Sequence, residues 1–204
     1  MNHKDKLLIF MHIPKTGGTT LHYFLKNQYN ENVQCYQRKT GFGLHRHFSK
    51  PCIYITMMRD PVERIISLYY YIRRNENHRW HSKVKELSLD QFITNKEFEH
   101  ENVNLQTRYF CDGQTPNLEQ AKKNLYNHFS IVGITELFDD SLSLMKHELG
   151  WKSVQYQKRN VTKNRKLKSD FPTKTIDKII QNNTLDLELY KYAKNILKDK
   201  IQNI

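Results

Sequence analysis

Cysteine, proline and glycine are all scarce in this chain, at three, five and seven of 204 residues. The cysteines, Cys35, Cys52 and Cys111, form no C-x-x-C pair. That argues against a zinc ribbon, and the odd, sparse count suits a reducing compartment. No cluster of metal-ligating residues stands out, so no metal is expected. No apolar run approaches the roughly 20 residues that cross a bilayer. The first such run, Leu7–Ile13, is too short for a signal h-region with a cleavage site. It leads straight into a loop and reads as the first strand of the mature fold. With no transmembrane segment, the expectation is a soluble, cytoplasmic protein. Internal repeats and long Gly/Ser/Pro linkers are also missing, which fits one domain over residues 1–204.

What is plentiful is positive charge. Lys and Arg total 33 against 21 Asp and Glu, a formal net charge of +12. Such a surplus favours an anionic partner: nucleic acid, an anionic lipid surface, an acidic glycan or a phosphorylated nucleotide. A merely solvated basic face would carry the same surplus. The basic residues are spread along the chain rather than gathered in a tail.

Strand-like and helix-like segments alternate, which predicts an α/β fold with a central parallel sheet flanked by helices. Continuous apolar runs at Leu7–Ile13, Cys52–Met58 and Phe129–Ile134 suit strands covered on both faces. A helix is expected from Thr19, with Leu21, Phe24 and Leu25 at helical spacing. The best-signalled helix follows Arg59-Asp60-Pro61-Val62-Glu63: Asp60 as N-cap, Pro61 as first helical residue, Glu63 completing a capping box. Further helices are expected near Ser88–Ile93, Asn117–Tyr126, Asp139–Leu149 with Gly150 as stop, and Thr184–Lys200. The basic stretch Tyr156–Ser169 reads as a loop.

The loop Pro14-Lys15-Thr16-Gly17-Gly18-Thr19-Thr20 joins the first strand to the first helix. Glycines let backbone approach an anion closely, and free N–H groups at a helix start point at its oxygens. Lys15 adds a full charge and the threonines add donors. This is not a Walker A loop, because Lys15 precedes both glycines. By composition alone the turn is as compatible with structure as with function; the strand–loop–helix context favours phosphate binding. A second anion site is expected at Arg59, where the second strand ends, since ligands of open α/β sheets bind beyond the strands' carboxyl ends. Ser67 lies about two helical turns on and is by itself equally a small packing residue.

Together these segments resemble the PAPS-dependent sulfotransferases, where PAPS is 3′-phosphoadenosine 5′-phosphosulfate. H-I-P-K-T-G-G-T-T at 12–20 is similar to the family's 5′-phosphosulfate loop, and R-D-P-V-E-R-I-I-S at 59–67 to its 3′-phosphate motif. N-L-Q-T-R-Y-F at 104–110, V-G-I-T-E at 132–136, N-V-T-K-N-R at 160–165 and L-D-L-E-L-Y at 185–190 extend the likeness almost end to end. The match points to the heparan sulfate 2-O-sulfotransferase-like branch and its short bacterial relatives. The resemblance implies a P-loop-like three-layer fold with PAPS as co-substrate. It implies that Lys15, Thr16, Gly17, Gly18, Thr19 and Thr20 bind the 5′-phosphosulfate, that Arg59 and Ser67 bind the 3′-phosphate, and that Arg165 helps cover the nucleotide. The implied reaction is transfer of a sulfuryl group to an acceptor hydroxyl, on a carbohydrate, with Lys15 stabilising the leaving phosphate.

Relatives place a catalytic His about 20 residues before the R-D-P arginine, where this chain has Arg38-Lys39. The candidate bases are therefore Lys39, if its pKa is lowered, and the nearby His45 and His47. Gln106 and Arg108 are candidate acceptor contacts. Two other classes compete: an ATP-dependent phosphotransferase, which would want a Mg²⁺-holding carboxylate and Lys-Ser/Thr after the glycines, and a basic nucleic-acid module, for which no motif stands out.

Overall fold

The computed structural model describes residues 6–29, 41–111, 115–151 and 166–203. Three parallel strands form one sheet in the order β1-β2-β3: β1 is Leu7–Met11, β2 Cys52–Met58 and β3 Phe129–Ile134. Helix α1 (Gly18–Tyr29) follows β1, and α2 (Pro61–Arg74) follows β2. Short helices α3 (His81–Val84), α4 (Leu89–Thr94), α5 (Glu99–Asn102) and α6 (Leu105–Phe110) lead to α7 (Leu118–His128), which enters β3. After β3 come α8 (Phe138–Leu149), α9 (Thr173–Asn182) and α10 (Thr184–Gln202). This is the α/β architecture expected, with helices on a parallel sheet.

The strands are buried because each is predominantly apolar, with only Thr56 in β2 and Ser130 and Gly133 in β3 interrupting. Ile9, Phe10, Ile55, Met57, Met58, Ile131 and Ile134 are almost wholly hidden and join Leu21, Leu25 and Leu189 in the main core. A second apolar cluster lies on the other side of α2, where Ile65, Ile66 and Ile72 pack with Phe92, Phe98 and Ile179. The buried apolar residues of α2, from Val62 to Ile72, all belong to this second cluster.

Local signals act where expected. Gly150 ends α8 in the left-handed conformation, and Ser88 and Gln91 form a complete capping box on α4. At α2, Asp60 caps as predicted by accepting the N–H of Glu63 at 3.0 Å. The return half of the box differs: the N–H of Asp60 donates to the Glu136 carboxylate, at 3.2 and 3.4 Å. A residue from beyond β3 takes the place assigned to Glu63.

Helices α6 and α10 cap each other across the chain. Asn104 precedes α6 with a left-handed backbone, and its side-chain oxygen accepts the N–H groups of Leu185 and Asp186 at the start of α10. Asp186 reciprocates, accepting the N–H groups of Gln106 and Thr107 and the Thr107 hydroxyl at 3.0, 2.7 and 2.7 Å. Asp186 is fully buried, and the equally buried Arg64 supplies the compensating positive charge. Arg64 also donates to the Glu101 carbonyl at 2.7 Å. Asp186→Ala is expected to cost roughly 3–5 kcal/mol, because it removes the acceptor of the Gln106 and Thr107 N–H groups and one of the two carboxylates, with Glu101, that offset the buried Arg64 charge. Urea unfolding of D186A and of Asp186→Ala combined with Arg64→Met checks this. The double variant should recover part of the loss; equal destabilisation of both would contradict the pairing.

Candidate functional site

The site lies at the carboxyl ends of the strands. Beyond β1 the chain turns through Lys15 at φ 72° and Gly17 at φ 77° before entering α1. Gly17 suits a left-handed backbone; Lys15 adopts one in spite of its Cβ. The Gly17 carbonyl accepts the N–H groups of Thr20 and Leu21, which starts the helix. Gly18 is needed for space: a Cβ there would stand 2.1 Å from Cδ2 of His12. The His12 ring stacks on Phe10 and fills the room beneath the loop.

Thr16 has a different duty from the one expected. Its side chain is wholly buried and its hydroxyl donates to the Ile13 carbonyl at 2.8 Å, so it shapes the turn from inside. The Thr135 hydroxyl, just past β3, shares its proton between the carbonyls of Thr16 and Met58, at 2.8 and 2.9 Å. One side chain thereby ties the loop after β1 to the end of β2.

Arg59 is brought to this loop. Its Nη1 donates to the Lys15 carbonyl at 3.3 Å, so the two predicted anion-binding turns meet. Glu63 and Glu136 flank the guanidinium at 3.6 and 3.8 Å. Tyr190 donates its hydroxyl to Glu136, and burial together with that carboxylate pushes the Tyr190 pKa up. Ser67 is largely buried on α2, and Tyr71 lies one turn further along the same face. The Lys15 ammonium rests over the Tyr71 ring, 3.8 Å from its centroid. Lys15, Arg59, Ser67 and the start of α1 therefore border one region, between the phosphate-type loop and α2.

Gln106 is fully buried, and both ends of its amide are used on Arg59. The Arg59 N–H donates to Gln106 Oε1 at 3.0 Å, and Gln106 Nε2 donates to the Arg59 carbonyl at 2.8 Å. Arg108 is turned inward too, donating to the carbonyls of His100 and Val103 at 2.9 and 2.6 Å. The structure gives both residues a bracing position in place of the acceptor contact expected of them.

His45 is set apart from the loop. Its Nδ1 lies 3.1 Å from the Tyr54 hydroxyl, and its ring packs on Phe42 and stacks on His128. Tyr54 pairs with Phe129, the first residue of β3, so this cluster sits toward the amino ends of the strands. Tyr54 and Arg59 are five residue steps apart along the chain, about 16 Å in extended backbone. His47 is exposed on the same short turn, Leu44–His47. Lys39 and Arg165 lie outside the described residues.

Among the described residues no group of three or more His, Cys, Asp or Glu could hold a metal ion, and no helix is long and apolar enough to cross a membrane. A cavity of about 300 Å³ beside the first half of β3 is lined by Leu125, Phe129, Val132, Leu144, Ile196 and Lys200. Its one charged group, Lys200, is bonded to the Ser130 carbonyl, and the cavity lies away from the loop.

A model of the sulfotransferase family matches residues 1–193. The chain belongs to the sulfotransferase family. It is 28% identical to heparan sulfate 2-O-sulfotransferase 1 of Xenopus laevis in an alignment covering 72% of this chain and 55% of that protein. The protein of the same name from Gallus gallus is 28% identical over 71% of this chain and 55% of its own length. A Drosophila melanogaster heparin sulfate O-sulfotransferase is 31% identical over 48% of this chain and 32% of that protein. The chain spans about half the length of the 2-O-sulfotransferases it matches. Glu136, Thr135 and Tyr71 are the residues of this candidate site that the sequence reading missed. The V-G-I-T-E segment pointed to the first two, since it runs off the end of a predicted strand.

The electrostatics carry one consequence for stability. Burial first, then the charges of His22 and Lys15, push the His12 pKa down from 6.5 to about 4. The unfolded chain takes up this proton near the ordinary value while the folded chain resists it. The stabilising contribution is therefore complete above about pH 6.5 and lost as pH falls toward about 4, a loss of about 3 kcal/mol. Urea unfolding at neutral pH and near pH 4.5, compared with His12→Asn, should show a steeper acid loss in the wild type. Parallel pH profiles would contradict it.

Proposed function

We propose that the chain uses PAPS to sulfate a hydroxyl group on a carbohydrate. The observation that carries this reading is the meeting of the Lys15 turn with the Arg59 side chain at 3.3 Å, at the carboxyl ends of a parallel sheet. Two cationic residues on adjoining turns match a ligand with anionic groups at two ends. Gly18 lets the start of α1 pack against His12, and the first N–H groups of a helix that follows such a turn suit an anion.

The residues fit the donor in the following roles. Lys15, Gly17, Gly18, Thr19 and Thr20 would hold the 5′-phosphosulfate, Thr16 shaping the turn beneath it. Arg59 and Ser67 would hold the 3′-phosphate. PAPS supplies the activated sulfuryl group. Lys15 would neutralise the charge gathering on the phosphate oxygen as the acceptor oxygen bonds to sulfur. The acceptor proton needs a base, and of the three candidates Lys39 stays with this reading, because His45 and His47 stand on the other end of the sheet. The family does not favour an ATP-dependent phosphotransferase or a nucleic-acid module.

An acidic glycan is the acceptor class best supported. The relatives are named for heparan sulfate, and exposed basic residues recur from the end of α2 onward: Arg73, Arg74, and Arg79, Lys83 and Lys85, which face Glu101, Glu97 and Glu86. Arg79 and Lys83 both lie against the Trp80 ring, at 4.8 and 5.6 Å.

Calorimetry with 3′,5′-bisphosphoadenosine tests the donor. Lys15→Ala and Arg59→Ala are each expected to weaken binding by about tenfold or more, the scale of one charge-assisted hydrogen bond, while His45→Ala leaves it unchanged. Tighter binding of ATP with Mg²⁺ than of the bisphosphate would overturn the reading. For the acceptor, radiolabelled sulfate from PAPS should appear on N-sulfated heparosan and not on neutral dextran; Lys39→Ala should abolish that transfer while preserving bisphosphate affinity. Equal labelling of both polymers would remove the glycan assignment.

A further inference from the structure

We propose that Tyr71 is a positioning residue for Lys15, its ring face holding the ammonium in place for the donor's 5′-phosphate before the donor arrives. The inference rests on the donor reading above. Lysine is a poor residue for the left-handed backbone it occupies at position 15, where φ is 72°. It lacks the short polar side chain that lets Asn or Asp offset this conformation locally. What it gains is a defined direction. At its root, the Lys15 carbonyl accepts from Arg59 at 3.3 Å, and at its tip the ammonium sits 3.8 Å from the centre of the Tyr71 ring. That distance is well within the range at which a cation is attracted by the ring's negative face.

The platform is itself fixed. The Tyr71 hydroxyl accepts from Asn75 Nδ2 at 3.0 Å, one turn on in sequence, and the ring meets His78 edge-on at 5.7 Å. Tyr71 and Ser67 are four residues apart on α2, so they lie on one stripe of the helix. The ring therefore directs the ammonium along the same helix face that presents Ser67. A long, flexible side chain ordered in advance loses less freedom when its ligand binds.

A double-mutant cycle read by calorimetric binding of 3′,5′-bisphosphoadenosine tests the proposal. Tyr71→Phe keeps the ring face and should bind within about twofold of wild type. Tyr71→Leu should weaken binding about three- to tenfold, the scale of one partly desolvated cation–π contact. In a Lys15→Ala background, Tyr71→Leu should add no further loss, because the ring acts only through the ammonium. A residue that merely supports α2 would give losses that add, and additive losses overturn the proposal. So would unchanged or tighter binding by Y71L, or a loss in Y71F equal to that in Y71L. If Lys15→Ala alone binds the bisphosphate like wild type, the donor reading itself fails, and the positioning role falls with it.

Discussion

The backbone of Arg59 is gripped on both sides by a single buried amide. Gln106 takes its N–H and donates to its carbonyl, which leaves the guanidinium no choice of starting point. From there Arg59 reaches the Lys15 carbonyl, and Thr135 fastens the neighbouring Thr16 carbonyl to the end of β2. The grip depends in turn on α6, whose first N–H groups are capped by Asp186 from α10. A charge buried near the carboxyl-terminal helix thus fixes, through two intermediaries, the turn near the amino terminus.

Around that frame, carboxylates and an aromatic ring face the two cationic side chains. Glu63 and Glu136 stand 3.6 and 3.8 Å from the Arg59 guanidinium, close enough to orient it and too distant for short ion pairs. A phosphate making bidentate bonds competes well with such contacts. Lys15 is held by an aromatic face, which retains a cation without neutralising it. His12, adjacent to the loop, is kept neutral by burial, so it adds bulk under Gly18 without changing the site's charge at neutral pH. The carboxylate of Glu136 has the busiest position: it accepts from the Asp60 N–H and the Tyr190 hydroxyl while facing Arg59.

What the sequence made legible was local. The strands Cys52–Met58 and Phe129–Ile134 have the expected bounds because predominantly apolar runs flanked by turn residues leave little choice. Helix α2 starts where Asp60 and Pro61 say it should. The two turns expected to bind anions stood out because glycines, a lysine and an arginine fall immediately after predicted strands. What was hidden depends on partners far away in sequence. Nothing around Gln106 signals that its amide is used on a residue 47 positions earlier. Nothing at Asp60 shows that Glu136, rather than Glu63, answers its N–H. His45 is close to Arg59 along the chain yet sits at the opposite end of the sheet, because β2 intervenes and carries the chain upward between them. Helix α9 was missed although its apolar residues Ile176, Ile179 and Ile180 have helical spacing, since they are embedded in a polar stretch and pack only on the secondary core.

The most direct measurement is a crystal structure of the complex with 3′,5′-bisphosphoadenosine. The expected result places the 5′-phosphate against the first turn of α1 within reach of the Lys15 ammonium, and the 3′-phosphate on the Arg59 guanidinium beside Ser67, with the Gln106 bonds to Arg59 intact. A nucleotide bound elsewhere, or one whose two phosphates both avoid Arg59, would contradict the claim that these two turns form one donor site.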